Sequence, residues 1–272
     1  MKRTAIFLRP LACAAVLATL AAAPCSEHDA AIGAARAETR PPARSSPTRQ
    51  VLPRPRPEVT APTDEQKASA DDVLAHRAEL PPGFHELAKR SGEPQIPGLT
   101  IVYLHPLGSP ADATHWRNII VHQTEGPAGS AKAMALEQAK NPTKRGVMLW
   151  METDGTVYWA TAETAITTHG DGANRNDNKY IDNSRTYRNV IKTNSIGVEF
   201  VGNYPDVAKP ATREQEQAWL MLVRFLQERY DIPAENIYAH NWIDYKDRRY
   251  CEGCDLATLA RKLGYQPGKN SE

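Results

Sequence analysis

From Leu99 onward the apolar positions alternate between short β-branched runs and stretches at helical spacing. LTIVYLHP and NIIVH, the second ending on His122, read as two buried strands separated by a polar loop. After a glycine break, residues 130–140 (SAKAMALEQAK) have the composition of a short helix. VMLWM and TVYWA flank Glu152-Thr153-Asp154-Gly155, and Asp-Gly between two such runs predicts a hairpin. Residues 170–194 carry many Asn, Asp and Arg without any period, and a loop of that length inside a compact domain is more often functional than ornamental. SIGVEFVG is again a strand, whose alternation puts Ile196, Val198 and Phe200 on one face and Ser195, Gly197, Glu199 and Val201 on the other. Thr212 and Gln215 form a capping box ahead of a long helix, on which Trp219, Leu220, Leu222, Val223, Phe225 and Leu226 make a broad apolar side. Ile237 to Ala239 reads as one more short strand, and Asp255 opens the amphipathic run LATLARKLG that ends on Gly264. Strands and helices mixed at these spacings predict an α/β fold, a central mixed β-sheet flanked by helices.

The pattern changes upstream. Residues 2–23 have a basic start and then an Ala- and Leu-rich apolar run too short and too weakly hydrophobic for a membrane span, which is the form of a secretory signal. A retained anchor would need a stop-transfer flank, and none follows. Cleavage fits either after Ala-Arg-Ala before Glu38 or near Ala21 to Ala23, and Cys25 raises lipidation as an alternative that Pro24 disfavours. Residues 38–63 are rich in Pro, Arg and Ser with almost nothing to bury, so they read as an extended, solvated linker. Thr63 and Gln66 make a capping box for a helix carrying Val73, Leu74 and Ala78, and a second helical piece covers residues 84–89. The expected organisation is a signal region (1–37), a disordered linker (38–63), a helical extension (64–98) and a catalytic domain (99–272), exported to a periplasmic or extracellular location and without a transmembrane span once the leader is removed. A net charge of +1 over 272 residues gives no global nucleic-acid signature.

The stretch AHNWIDYKDRRYCEGCDL places His240, Cys251 and Cys254 on a loop between a strand and a helix, the kind of position where ligands collect. His122, at the end of an apolar strand, is a third donor. Two imidazoles and one thiolate make a three-ligand zinc set with a fourth position for water. The same residues admit a Cys251–Cys254 disulfide, or a closed site using both thiols and both histidines. Glu199 is a lone acid among apolar neighbours, where burial raises a carboxyl pKa and poises it as a base; an acid on a solvated sheet face is the bland alternative. His76, His85, His105 and His115 have no ligand spacing or paired acid in sequence and read as ordinary histidines. Trp150, Tyr158 and Trp159 read as core, with a groove wall for sugar or peptide as the alternative.

Taken in order, NIIVHQTEG, METDGTVYW, HGDG with His169, NSIGVEFVG with Glu199 and the terminal AHNWIDYKDRRYCEGC resemble the type-2 zinc-dependent N-acetylmuramoyl-L-alanine amidases, whose fold is shared with peptidoglycan recognition proteins, over residues 99–264. The resemblance implies that Zn2+ is held by His122, His240 and Cys251, Cys-Glu-Gly standing where relatives have Cys-Pro-Gly. It implies a peptidoglycan hydrolase cleaving the amide between N-acetylmuramic acid and the L-alanine of the stem peptide, with Glu199 as general base and His169 and Arg249 as candidate oxyanion donors. The chain departs from the pattern at Val147 and Met148, where many relatives carry Tyr-His, and in a longer His240-to-Cys251 interval. A non-catalytic peptidoglycan-binding protein of the same fold, or a zinc amidase acting on another peptide, are the alternatives.

Overall fold

The structure, a computed structural model, describes residues 64–170, 172–173, 181–245 and 250–269. In chain order it contains α1 (Asp64–Ala75), α2 (Phe84–Ala88), β1 (Ile101–Tyr103), β2 (Asn118–Glu125), α3 (Ala131–Lys140), β3 (Leu149–Met151), β4 (Val157–Trp159), β5 (Ser195–Gly202), α4 (Arg213–Tyr230), β6 (Ile237–Ala239), α5 (His240–Ile243) and α6 (Cys254–Leu263). The leader and linker expected over residues 1–63 lie outside the described residues, as does Thr63 of the first capping box.

The six strands form one mixed sheet in the order β1-β4-β3-β5-β2-β6. Only β3 and β4 pair antiparallel, as the Asp154-Gly155 hairpin requires; all other neighbours are parallel. Gly155 sits at φ 83° in that turn, and a Cβ there would lie 2.8 Å from the Glu214 carbonyl oxygen, so the turn is held against the start of α4 by the absence of a side chain. The capping box at Thr212 and Gln215 is formed, which fixes where α4 begins.

Alternation along the strands sorts the core. Ile119, Val121, Ile196, Val198 and Phe200 face one way and pack with Trp219, Phe225 and Leu256 of α4 and α6. On the opposite face Trp150, Val147 and Val201 pack with Ala131 and Ala135 of α3, while Ile120 packs with Val190 and Ile243. β1 is only partly covered, with Val102 exposed at the sheet edge, so the expected buried strand there is half realised.

Three expectations are corrected. The first helix stops at Ala75, short of Ala78, and its Val73 alone of the expected stripe is fully buried. The long helix is buried on more than its apolar side, because the N-terminal extension covers its polar face: Arg224 donates to the Ala78 carbonyl, and Arg229 to the Ala88 and Arg90 carbonyls. Arg229 also forms a fully buried ion pair with Glu163, whose carboxylate accepts from Tyr230 Oη at 2.7 Å. His85, read as unpaired, meets Glu228 of this helix across 143 residues of sequence. Among the described residues no helix is long and apolar enough to cross a membrane.

Candidate metal centre

β2 and β5 run in parallel register with His122 opposite Glu199, so both side chains leave the sheet on the face away from α4. β6 ends at Ala239, opposite Val121, and the chain turns into α5 at His240. That step brings the second imidazole beside the first: the ring centroids of His122 and His240 are 4.3 Å apart. Both rings are buried, with 3 % and 6 % of their residue surface exposed.

The loop before α6 closes over this pair. Gly253 N–H donates to Gln123 Oε1 at 2.8 Å, and a Cβ on Gly253 would lie 2.3 Å from the Val121 carbonyl oxygen. With φ at 78° as well, the position admits glycine and little else. This close approach delivers Glu252, whose Oε1 lies 3.2 Å from His122 Nδ1 and 2.8 Å from His240 Nδ1. Ligand atoms of His122, His240 and Glu252 all lie within 4.8 Å of one another. Burial alone would raise the Glu252 carboxyl, but its hydrogen bonds with the two imidazoles and their charge pull it well below the usual carboxylate range. Two imidazole nitrogens and a carboxylate oxygen converging at this separation form a donor set that fits a tetrahedral divalent ion.

The structure departs here from the expected ligand set. Cys251 and Cys254 are joined in a disulfide, and Glu252 lies beside His122 and His240 in a cluster that could hold a metal ion. Its neighbour Asn241 donates through Nδ2 to Cys251 Sγ at 3.6 Å and through its backbone to the Glu252 carbonyl at 3.3 Å. Glu252 went unread in the sequence because the two cysteines on either side of it carried the more conspicuous metal signal. The helix likewise starts one residue early, at Cys254, with Gly253 rather than Asp255 at its entry.

Glu199 is partly buried between Trp150 of β3 and His122 of β2. Burial pushes its carboxyl up to about 8, the Glu252 charge adds to the rise, and Arg145 opposes it. His169 packs edge-on to His122 with ring centroids 5.3 Å apart. Both of its nitrogens are engaged, Nδ1 with His122 Nε2 at 3.2 Å and Nε2 with the Ser195 carbonyl at 3.1 Å. Burial, with the neighbouring imidazoles, holds its pKa well below the ordinary histidine value. Arg249, the other oxyanion candidate, lies outside the described residues. Val147 and Met148 are buried core residues and supply no polar group. Trp159 is core, whereas Trp150 lines a hollow of about 310 Å³ together with Met134, Gln138, Lys144 and Arg145.

Residues 112–254 match the model of the N-acetylmuramoyl-L-alanine amidase family, just over half of the 272 residues. No curated protein matches the chain in sequence. Among solved structures, PlyL is 18 % identical with a TM-score of 0.41, covering 61 % of this chain and 97 % of its own. An AmpD derivative is 14 % identical with a TM-score of 0.39, covering 61 % and 96 %. Drosophila PGRP-LB is 15 % identical with a TM-score of 0.38, covering 64 % and 100 %. The family match spans β2 through the start of α6, including His122, Glu199, His240 and Glu252, and the chain therefore belongs to the type-2 N-acetylmuramoyl-L-alanine amidase family.

Proposed function

We propose that this protein is an exported zinc amidase that hydrolyses the amide between the lactyl group of N-acetylmuramic acid and the first L-alanine of the peptidoglycan stem. The observation that carries the reading is the pairing of His122 with Glu199 across β2 and β5, which sets a proton-accepting carboxylate beside a convergent set of metal donors. Zinc, when bound, supplies Lewis acidity toward the amide carbonyl and makes water a nucleophile near neutral pH. His122, His240 and Glu252 would hold it. Glu199 takes the proton from the attacking water and returns it to the departing amine nitrogen: burial makes its carboxylate more basic than an ordinary one, and a cation bound beside it would favour the ionised form that accepts the proton. The hollow beside Trp150, with Lys144 and Arg145 on its rim, offers an aromatic wall and cationic groups to an anionic peptide stem. Export follows from the form of residues 2–23.

Digestion of purified sacculi, followed by mass spectrometry of the soluble products and metal analysis of the protein, tests this. Free stem peptides with L-alanine at the amino end are expected. Glu199→Gln is expected to keep zinc and to lower turnover by about 100-fold or more. Release at the parental rate by that variant would remove Glu199 from its role. One observation favours a second reading, binding without cutting: with Cys251 in a disulfide, the thiolate expected of a catalytic relative is not there. Muropeptide binding with no release of stem peptide would establish that reading in place of the first.

A further inference from the structure

The mechanism leaves His169 without work, yet the fold makes unusual provision for it. Its ring lies on bare backbone at Gly197, where an added Cβ would come 2.9 Å from His169 Nδ1 and 3.0 Å from Cγ. Gly197 is thus the gap in the face of β5 that lets an imidazole rest on the sheet between Ser195 and His122.

Hydrogen-bond direction then follows from chemistry alone. The Ser195 carbonyl only accepts, so His169 Nε2, 3.1 Å away, carries a proton and donates it. In a neutral ring the other nitrogen, Nδ1, is then a lone pair. His169 lies edge-on to His122, whose ring in turn neighbours that of His240. The 3.2 Å contact between His169 Nδ1 and His122 Nε2 therefore needs its proton from His122. With that proton on Nε2, the His122 nitrogen turned to Glu252 and the convergence point is Nδ1, 3.2 Å from Glu252 Oε1, where a bound cation would take the place of the hydrogen bond. His240 lacks such a device: its Nε2 is buried without a hydrogen-bond partner.

We infer that His169 is a positioning residue: it fixes the ring proton of His122 on Nε2 and so presents Nδ1 as the ligand atom. Ligating histidines commonly have their second nitrogen fixed by a carboxylate, a carbonyl or water. Here a second histidine relays a backbone carbonyl to the ligand ring. Its role is to set the direction of a lone pair, without touching the reacting atoms. The inference rests on the metal-centre reading above.

The test uses the full chain and zinc itself. Ring ¹⁵N spectra of the zinc-loaded protein should show His122 protonated at Nε2 and metal-bound at Nδ1. Zinc affinity, measured by competition with a chromophoric chelator, should then separate two variants. His169→Gln places an amide oxygen and an amide N–H much as the fixed ring places Nδ1 and Nε2–H, so it should bind zinc within about threefold of wild type. His169→Leu fills the space without either group and should weaken binding by about 10–100-fold, the usual range for lost outer-shell partners. A ring that served only as packing would give the reverse order, leucine being the better filler. Zinc on His122 Nε2, equal affinity of the leucine variant and wild type, or a glutamine variant as weak as the leucine one would each overturn the inference alone. Failure of the wild-type protein to take up zinc would overturn the metal reading, and the inference with it.

Discussion

Glu199→Gln should change how the stability of the metal-free protein depends on pH, independently of any effect on turnover. The Glu199 carboxyl stands at about 8 in the folded chain, against 4.5 for an ordinary glutamate. At about 1.4 kcal/mol per pH unit the gap corresponds to about 5 kcal/mol, which partial solvent exposure of the side chain reduces to about 2–4 kcal/mol. Below about 4.5 both states are protonated and the group is neutral to stability. As pH rises toward 8 the unfolded chain gives up the proton while the folded chain keeps it, so the folded state loses its relative advantage; above 8 both are ionised and the full cost remains. The wild-type protein in chelator should therefore lose about 2–4 kcal/mol across this window through Glu199, and the glutamine variant should not. Other groups titrate over the same range, so the informative quantity is the difference between wild type and variant in urea midpoints taken at several pH values. Zinc should shrink that difference, since a nearby cation favours the carboxylate. Parallel pH profiles for the two proteins in chelator would refute the claim that Glu199 is held protonated by its surroundings.

The other predictions concern the donors and the frame that carries them. Glu252→Ala should weaken zinc binding by more than about 100-fold, beyond the range of outer-shell losses, whereas Cys251→Ser should retain most of it; equilibrium dialysis with metal analysis compares them directly. Gly253→Ala should cost at least about 1–2 kcal/mol and reduce zinc uptake too, because its Cβ would meet the Val121 carbonyl at 2.3 Å; an unchanged melting temperature would count against the close approach. Arg229→Met should cost about 3–5 kcal/mol in urea unfolding, since it strands the buried Glu163 carboxylate, and Arg229→Met with Glu163→Leu should recover much of that loss.

How legible the molecule was in its sequence depended on whether a signal was local. The hairpin at Asp154-Gly155, the capping box at Thr212 and the two faces of β5 follow from periods and turn chemistry within a few residues, and they stand where the pattern put them. His122 and His240 were legible because each follows an apolar run, although β2 continues past His122 to Glu125, and neighbouring parallel strands leave such residues together. The burial of Arg224, Glu228 and Arg229 was not, since the carbonyls and the histidine that satisfy them belong to residues 78–90, far along the chain. His169 was legible as a residue but not in its contacts, which depend on a carbonyl of β5 and on the missing side chain of Gly197.

The third donor illustrates the limit most sharply, and it changes the chemistry expected of the centre. A tetrapeptide with cysteine at both ends offers sulfur to a metal only while the sulfurs are reduced; once they bond to each other, the loop is tightened around the residue between them. In Cys-Glu-Gly-Cys that residue is an acid, and the glycine after it lets the backbone press onto β2, so the carboxylate is carried to the two imidazoles. Carboxylate oxygen is a harder donor than thiolate and gives less electron density to the ion. Were zinc held by two imidazoles and Glu252, as proposed, it would be a stronger Lewis acid than zinc held by two imidazoles and sulfur, and would be retained less tightly. Stronger polarisation of the amide carbonyl would lessen what the rest of the site must contribute, in a centre where Val147 and Met148 are buried and apolar and both nitrogens of His169 are engaged.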